Sequence, residues 1–233
     1  MTSRFRLPFL RALRVMRGAL STPEVKPAEP RSAGLTGVWI DVGAHLGTVS
    51  LPVAKDNPGL QVYAFEPNLK LATQSWGLLP NFTVLPVAIA ETDGLADFYL
   101  NANEGSSSLL AFNPEGLSRW IDGHLMKVES KLLVPTIRLD TFMKWAGISK
   151  VEYLKVDAQG ADLSVVKSAG DRIRDIKKIM LEVAVTPVPL YDGAARRSDV
   201  VAYLEEFGFS LTKVESQYYG QEENLTFVVK ETR

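Results

Sequence analysis

Residues 39–47 read Trp-Ile-Asp-Val-Gly-Ala-His-Leu-Gly, and residues 63–67 read Tyr-Ala-Phe-Glu-Pro. Both stretches begin with apolar residues typical of a buried β-strand. The first runs into a turn with two glycines, and the second ends in a lone acid, Glu66. In an open sheet of parallel strands, cofactors bind at the carboxyl ends of the strands. A carboxylate there has two acceptor oxygens, which suit the two hydroxyls of a ribose. The sequence therefore predicts an α/β domain that binds an adenosine-containing cofactor.

The first turn separates two classes of cofactor because it contains a second carboxylate, Asp41. A dinucleotide places its pyrophosphate over this turn, where glycines and a bare helix N-terminus are needed. A carboxylate at that place would repel the pyrophosphate, whereas it would attract the ammonium and sulfonium groups of S-adenosylmethionine. The turn therefore favours methyl transfer over hydride transfer. An NAD-dependent oxidoreductase is supported only by the sheet that both classes share.

Composition limits the remaining classes. The 233 residues are enough for one α/β domain with a full core. The net charge of −1 gives no reason to expect a nucleic-acid partner. The absence of cysteine excludes thiolate catalysis and thiolate metal sites, and it is consistent with an expected cytoplasmic location.

The N-terminal 34 residues differ from the rest of the chain. Residues 1–23 contain five arginines and no acid, and prolines 23, 27 and 30 follow. We predict a basic helix and a proline-rich linker over residues 1–34, ahead of a catalytic domain over residues 35–233. The helix either packs on the domain or rests on a partner or a membrane surface, so peripheral membrane contact through residues 1–20 stays open.

Predicted strands and helices alternate along the domain, which is typical of a parallel sheet with right-handed crossovers. The expected fold is a Rossmann-like, mostly parallel seven-stranded sheet with an antiparallel C-terminal edge strand. A hairpin insertion should pair residues 96–100 with residues 131–136, around a polar loop over 101–130. Asn68 is predicted to cap a helix that runs to Leu79, and Ser198 to cap the last helix. The main-sheet strands are predicted at residues 38–42, 61–65, 82–87, 153–157, 178–183, 209–214 and 225–229.

Six segments, in this order and spacing, carry a resemblance to a known family: residues 40–47, 62–68, 86–90, 105–109, 136–142 and 153–162. On these segments the chain resembles the FkbM-type methyltransferase family from about Trp39 to Val229. This resemblance implies S-adenosylmethionine-dependent methylation, commonly of a hydroxyl on a sugar, glycan or secondary metabolite. Asp162 departs from the family pattern, which usually has Glu at this place. Residues 1–35 lie outside the resemblance.

Eleven residues are predicted to contact the cofactor. The glycine turn should hold its methionine end, Glu66 its ribose, and small apolar residues its adenine. The serines on the polar loop could contact cofactor or substrate, or form a plain turn. The eleven residues are Asp41, Gly43, Ala44, His45, Gly47, Glu66, Pro67, Asn68, Val87, Ala88 and Ser107.

Two residues are candidate catalytic bases, Asp157 at the end of a central strand and His124 on the polar loop. Asp157 could instead contact the cofactor, and His124 could be a surface residue. Together with Glu182, Asp157 could also bind Mg²⁺. Four aromatic residues could line an acceptor pocket or simply pack: Trp120, Tyr191, Tyr218 and Tyr219.

These patterns predict an O-methyltransferase that acts on a small-molecule or glycan acceptor, with the polar loop over residues 101–130 as lid and specificity element. The alternative from another class is a non-catalytic cofactor-binding or scaffold protein, recruited through its basic N-terminus.

Overall fold

The computed structural model describes residues 34–230. Ten strands and six helices form an α/β domain within these residues. The strands are β1 (Gly37–Val42), β2 (Leu60–Phe65), β3 (Phe82–Leu85), β4 (Ala88–Ile89), β5 (Gly94–Asn101), β6 (Val128–Ile137), β7 (Tyr153–Val156), β8 (Lys178–Ala184), β9 (Phe209–Gln217) and β10 (Glu222–Val229). The helices are α1 (Ser50–Asp56), α2 (Leu69–Ser75), α3 (Pro114–Arg119), α4 (Leu139–Trp145), α5 (Asp162–Lys167) and α6 (Arg197–Glu206).

Seven strands form the main sheet in the order β3-β2-β1-β7-β8-β10-β9. The first five are parallel to one another, and β10 pairs antiparallel with both β8 and β9. The predicted fold class is therefore confirmed, with antiparallel pairing at the C-terminal edge. Within that edge, β9 is the outermost strand and β10 lies between β9 and β8. The order reverses direction at β1, and this switch point is where ligands bind in open α/β sheets.

A second sheet has the order β4-β6-β5. Its antiparallel pairing of β5 with β6 confirms the predicted hairpin insertion. The polar loop inside this hairpin is partly helical, because it contains α3 and 3₁₀ turns at Glu104–Ser106 and Gly123–Leu125. The insertion is thus an ordered element beside the carboxyl end of the main sheet.

One face of the central strands packs into the main hydrophobic core of the domain. On that face, Leu154 and Val156 of β7 are fully buried. On the same core, the ring of Phe142 from α4 packs edge-on against Phe65, with ring centroids 4.8 Å apart. This contact fixes the carboxyl end of β2, from which Glu66 extends.

At three places the structure shows why a predicted boundary differs. Helix α2 ends at Ser75, because Trp76 is already extended. The strand predicted over residues 82–87 stops at Leu85, since Ala88 and Ile89 pair with β6 instead. Ser198 lies inside α6 rather than at its cap, where the Asp199 carboxylate accepts a hydrogen bond from the Arg196 amide.

Two predictions concern the N-terminal segment and the membrane. The basic helix and linker fall on residues 1–34, of which all but Gly34 lie outside the described residues. Within residues 34–230, no helix is both long and apolar enough to span a bilayer.

Candidate active site

A cavity of about 260 Å³ lies at the carboxyl ends of β1, β2 and β7. It brings together residues from five separate stretches of sequence, within 42–48, 65–67, 87–89, 98–109 and 157–161. Of the residues predicted to bind cofactor or act in catalysis, those that line it are Gly43, His45, Glu66, Pro67, Val87, Ala88, Ser107 and Asp157.

The turn after β1 needs a glycine at position 43. Gly43 has a φ of +71°, and a Cβ built there would lie 1.9 Å from the Asp157 carbonyl oxygen. The amides of Gly43 and Ala44 both donate to the Phe65 carbonyl at 3.0 Å, which ties the turn to the end of β2. A side chain at Gly43 would therefore clash with the backbone at Asp157 and push apart the ends of β1 and β7.

Backbone amides from two turns hold the carboxylate of Glu66. Its Oε1 accepts from the Asn68 amide at 2.8 Å, and its Oε2 accepts from the His45 amide at 2.9 Å. Burial raises the pKa of Glu66, and these two hydrogen bonds oppose the rise. Each oxygen keeps acceptor capacity for a further hydroxyl. The carboxylate is thus fixed in place and still able to accept from a diol.

Asn68 caps α2 and lies outside the cavity lining. Its Oδ1 accepts from the Lys70 amide at 3.1 Å, which confirms the predicted cap of α2. It does not line the cavity, so its direct contact with cofactor is not found in this geometry. Its amide orients Glu66, which gives it an indirect role.

Asp41 is also placed differently from the sequence interpretation. Its side chain is 3% exposed and does not line the cavity. Oδ1 lies 3.0 Å from Lys155 Nζ, and Oδ2 accepts a hydrogen bond from Ser50 Oγ at 2.5 Å. Because the lysine neutralises this carboxylate inside the domain, Asp41 does not present the free negative charge that the sequence predicts for a cationic ligand.

Lys155 links this buried acid to the cavity. Its Nζ lies 3.5 Å from the Gly43 carbonyl oxygen and 3.8 Å from Asp157 Oδ2. Burial lowers the pKa of Lys155, but the charges of Asp41 and Asp157 outweigh this and raise it overall. The lysine therefore stays charged and fixes the turn beneath the cavity.

Asp157 is the carboxylate most open to the cavity, with a side chain 37% exposed. Its Oδ1 accepts a hydrogen bond from the Gln159 side-chain amide at 2.7 Å. The same amide nitrogen lies 3.2 Å from Glu182 Oε2, and Gln159 Oε1 accepts from the Tyr191 hydroxyl at 2.8 Å. Gln159 therefore joins two acids and a tyrosine, a role that the sequence alone does not indicate.

The magnesium site predicted at Asp157 and Glu182 is not supported. The amide nitrogen of Gln159 donates to both carboxylates, so a hydrogen-bond donor occupies the place that a cation would take. Within residues 34–230, no three His, Asp or Glu side chains form a group that could hold a metal ion.

Three other predicted residues lie outside the cavity lining. Ala44 and Gly47 shape the turn, since the Gly47 amide donates to the Ala44 carbonyl at 2.7 Å. His124 is exposed on the 3₁₀ turn at Gly123–Leu125. The geometry does not bring this imidazole to the cavity, so Asp157 is the predicted base that the structure places there.

The insertion contributes an unpredicted part of the wall. Phe98, Glu104, Gly105 and Leu109 line the cavity beside the predicted Ser107. Phe98 and Leu109 face the same space as Val87 and Ala88, which makes this end of the cavity apolar. The sequence shows that apolar and polar side chains alternate along β5. It does not show which side of the hairpin faces the cavity.

The serine segment ties the insertion to the main sheet. Ser108 Oγ donates to the Gln159 carbonyl oxygen at 2.7 Å, and Ser107 Oγ accepts from the Asn101 amide at 3.1 Å. Gln159 has a φ of +52°, an uncommon conformation for a residue other than glycine. The insertion therefore braces the turn that carries Gln159.

The departure at Asp162 has a structural explanation. Its Oδ1 accepts from the Ala158 amide at 3.2 Å, and its Oδ2 accepts from the Gly160 amide at 3.0 Å. A short side chain suffices for these contacts within the turn. Burial and the charge of Asp157 raise the pKa of Asp162 to about 7. Asp162 thus holds the turn that positions Gln159.

Known proteins share the sequence pattern of this domain. The sequence matches the model of the methyltransferase FkbM domain over residues 41–211. It is 24% identical over 178 residues to the 2-O-methyltransferase NoeI of Sinorhizobium fredii, covering 73% of this chain and 72% of that protein. It is 25% identical over 211 residues to the AMB antimetabolite synthetase AmbE of Pseudomonas aeruginosa, covering 75% of this chain but only 10% of that protein.

Among solved structures, the domain is similar to magnesium protoporphyrin IX methyltransferase from Synechocystis PCC 6803 with bound S-adenosylmethionine. The TM-score is 0.43 and the sequence identity is 13%, over 85% of this chain and 71% of that chain.

Proposed function

The chain belongs to the FkbM methyltransferase family, and from this membership we propose that it methylates a hydroxyl oxygen of a sugar, glycan or other small molecule. The family makes it an S-adenosylmethionine-dependent methyltransferase. The choice of oxygen as acceptor is supported by the similarity to a 2-O-methyltransferase. The observation that carries the proposal is the Glu66 carboxylate, which two backbone amides fix at the wall of the cavity.

The proposed arrangement assigns each part of the cofactor to one part of the cavity. Glu66 accepts the ribose hydroxyls, and Val87 and Ala88 flank the adenine with apolar surface. The methionine end lies over Gly43 and His45, which both line the cavity beside Asp157. The unpredicted Phe98 and Leu109 lengthen the apolar end, which supports the placement of adenine there.

Catalysis then depends mostly on alignment. The cofactor supplies an activated methyl group, and the residues around it must orient the acceptor oxygen and exclude water. Asp157 is proposed to take the proton that the hydroxyl loses, because its carboxylate is the one most open to the cavity. Gln159 holds one oxygen of this carboxylate and leaves the other available. Proton removal of this kind typically contributes about 10²- to 10⁴-fold to a rate.

Calorimetric titration tests the cofactor assignment. We expect S-adenosylmethionine and S-adenosylhomocysteine to bind with micromolar affinity and NAD not to bind. Transfer of a radiolabelled methyl group to hydroxylated small molecules then tests catalysis. Tight binding of NAD would overturn the proposal. Cofactor binding without transfer to any acceptor would favour the non-catalytic alternative.

A further inference from the structure

A second cavity, of about 250 Å³, adjoins the first. The two cavities share two lining residues, Gly105 from the insertion and Gln159 from the turn after β7. A methyl acceptor needs a binding cavity that is separate from the cofactor cavity but opens onto it where the methyl group is transferred. The shared boundary at Gln159 provides such a point, because the Asp157 carboxylate lies 2.7 Å from its amide nitrogen.

One wall of the second cavity is aromatic. The rings of Trp120 and Tyr218 stack with centroids 6.0 Å apart and an interplanar angle of 21°. The indole N–H of Trp120 is buried and has no acceptor within residues 34–230. A buried donor without a partner is costly, so a ligand oxygen placed against this ring would gain a ready donor. Trp120 itself is only 6% exposed, whereas Tyr218 is 36% exposed and offers flat aromatic surface that suits the apolar face of a ring-shaped ligand.

The opposite wall is acidic. Glu182 from β8 and Glu222 from β10 both line the cavity, whereas no Lys, Arg or His is found among its described lining residues. Burial and the charge of Asp157 raise the pKa of Glu182, and the same two causes raise the pKa of Glu222 to about 7. Near neutral pH these groups therefore offer both donors and acceptors to a hydroxylated ligand. They disfavour a ligand that brings negative charge of its own.

We propose that the second cavity binds the methyl acceptor as an uncharged sugar ring, stacked on Tyr218 and hydrogen-bonded to Glu182 and Glu222. This inference rests on the proposed function, because it supplies the acceptor site for that reaction. The ring enters with a hydroxyl beside Gln159, where the boundary to the cofactor cavity lies. The carboxyl pair rejects sugar acids, since no basic side chain among the described lining residues compensates their charge.

Saturation-transfer NMR with a panel of simple sugars tests the proposal, so the natural acceptor need not be identified first. The probes are methyl glycosides of glucose, galactose, mannose, fucose and rhamnose, together with methyl glucuronide as the anionic counterpart. The protein is the full chain, loaded with S-adenosylhomocysteine. We expect saturation transfer to at least one neutral glycoside and none to the glucuronide.

Two variants and one control locate the binding. Tyr218→Ala should abolish the glycoside signal, whereas Tyr219→Ala, at the exposed neighbouring tyrosine outside the cavity lining, should leave it unchanged. Glu222→Gln keeps the side-chain shape, so it is the variant less prone to folding defects, and it should weaken binding at least threefold. Affinity for S-adenosylhomocysteine should stay within about twofold in all three, which also verifies that each protein is folded.

The outcomes separate this inference from the proposed function. Absence of S-adenosylhomocysteine binding in the wild type would overturn the proposed function, and the acceptor site with it. Cofactor binding with no glycoside signal would overturn the acceptor site alone. A glycoside signal that survives Tyr218→Ala and Glu222→Gln would place the sugar elsewhere. Equal binding of the glucuronide would contradict the predicted charge selection.

Discussion

Two buried acidic centres lie on either side of Gln159, and they are stabilised in different ways. Asp41 is paired with Lys155 at 3.0 Å and accepts a hydrogen bond from Ser50. Glu182 and Glu222 line a cavity in which no described lining residue is basic. The first centre is an ion pair, whereas burial and the charge of Asp157 favour the protonated forms of Glu182 and Glu222 in the second.

The difference assigns different work to the two centres. A compensated ion pair has a fixed charge, so the Asp41 centre holds the glycine turn rigidly under the cofactor cavity. A carboxyl pair without a paired cation changes its protonation with pH and with the ligand bound beside it. The charge of the second centre therefore depends on the ligand that occupies the cavity. We therefore expect mutations at the first centre to act mainly on stability, and mutations at the second to act on pH dependence and acceptor binding.

The largest effect should come from breaking the first pair. Lys155→Met leaves the Asp41 carboxylate buried without its cation, and this should lower the free energy of unfolding by about 3–5 kcal/mol. Urea denaturation measures the change. The double variant Asp41→Asn with Lys155→Met should recover most of the loss.

The matched control is Lys150→Met, which breaks the exposed pair with Asp175 and should cost less than about 1 kcal/mol. An equal loss in the control, or no recovery in the double variant, would show that the Asp41–Lys155 pair is not the stabilising unit described above.

The next effect concerns the cofactor rather than stability. Glu66→Gln places an amide group where the two backbone amides of His45 and Asn68 now donate, so at least one of these hydrogen bonds is lost. The dissociation constant for S-adenosylhomocysteine should rise about 10- to 100-fold, measured by calorimetry. Glu222→Gln, in the second cavity, should change it far less. Similar losses in both variants would contradict the separation of the two cavities.

The cofactor side of this comparison is largely predictable from the sequence, because it is encoded locally. A glycine turn after one strand and an acid after the next are each set by a few neighbouring residues. Gly43 and Glu66 accordingly line the cavity as expected. The order and direction of the strands follow from the same alternation of apolar strands and amphipathic helices.

The acidic centres are not predictable in the same way, because they depend on residues far apart in sequence. Lys155 lies 114 residues from Asp41, and only the pairing of β1 with β7 brings them together. Without that contact, Asp41 is interpreted as a charge available to the ligand. Trp120 and Tyr218 are equally compatible with packing or with a ligand, since no short motif marks the cavity that they line.

The second centre yields a prediction for pH dependence. The pKa of Glu222 in the folded protein, about 7, lies above its usual value of 4.5. The folded state therefore holds the proton more tightly, and this contribution to stability is present below about pH 4.5 and is lost as the pH rises through 7. Because Gln cannot ionise, Glu222→Gln should exceed the wild type in free energy of unfolding by about 1–3 kcal/mol at pH 8.

Urea denaturation at several values between about pH 5 and pH 8 measures this difference, which should shrink towards the acidic end. Glu223→Gln is the matched control, since the neighbouring carboxylate already pairs with Arg197 at 2.8 Å. Its difference from the wild type should stay nearly constant over the same range. A constant difference for Glu222→Gln as well would show that the second centre does not hold its proton as described.

The smallest expected effects come from two helix caps, one on each side of the comparison. Asn68 caps α2 behind Glu66, and Asn113 caps α3 in the insertion by accepting from the amides of Glu115 and Gly116. Replacing either by Ala should lower the free energy of unfolding by about 1 kcal/mol, which thermal or urea denaturation can resolve. Only Asn68→Ala should also weaken S-adenosylhomocysteine binding, because loss of the cap loosens the start of α2, where the backbone amide of Asn68 donates to the Glu66 carboxylate. If Asn113→Ala weakened cofactor binding equally, the insertion would have to support the cofactor cavity as strongly as α2 does, and the two regions would not be independent.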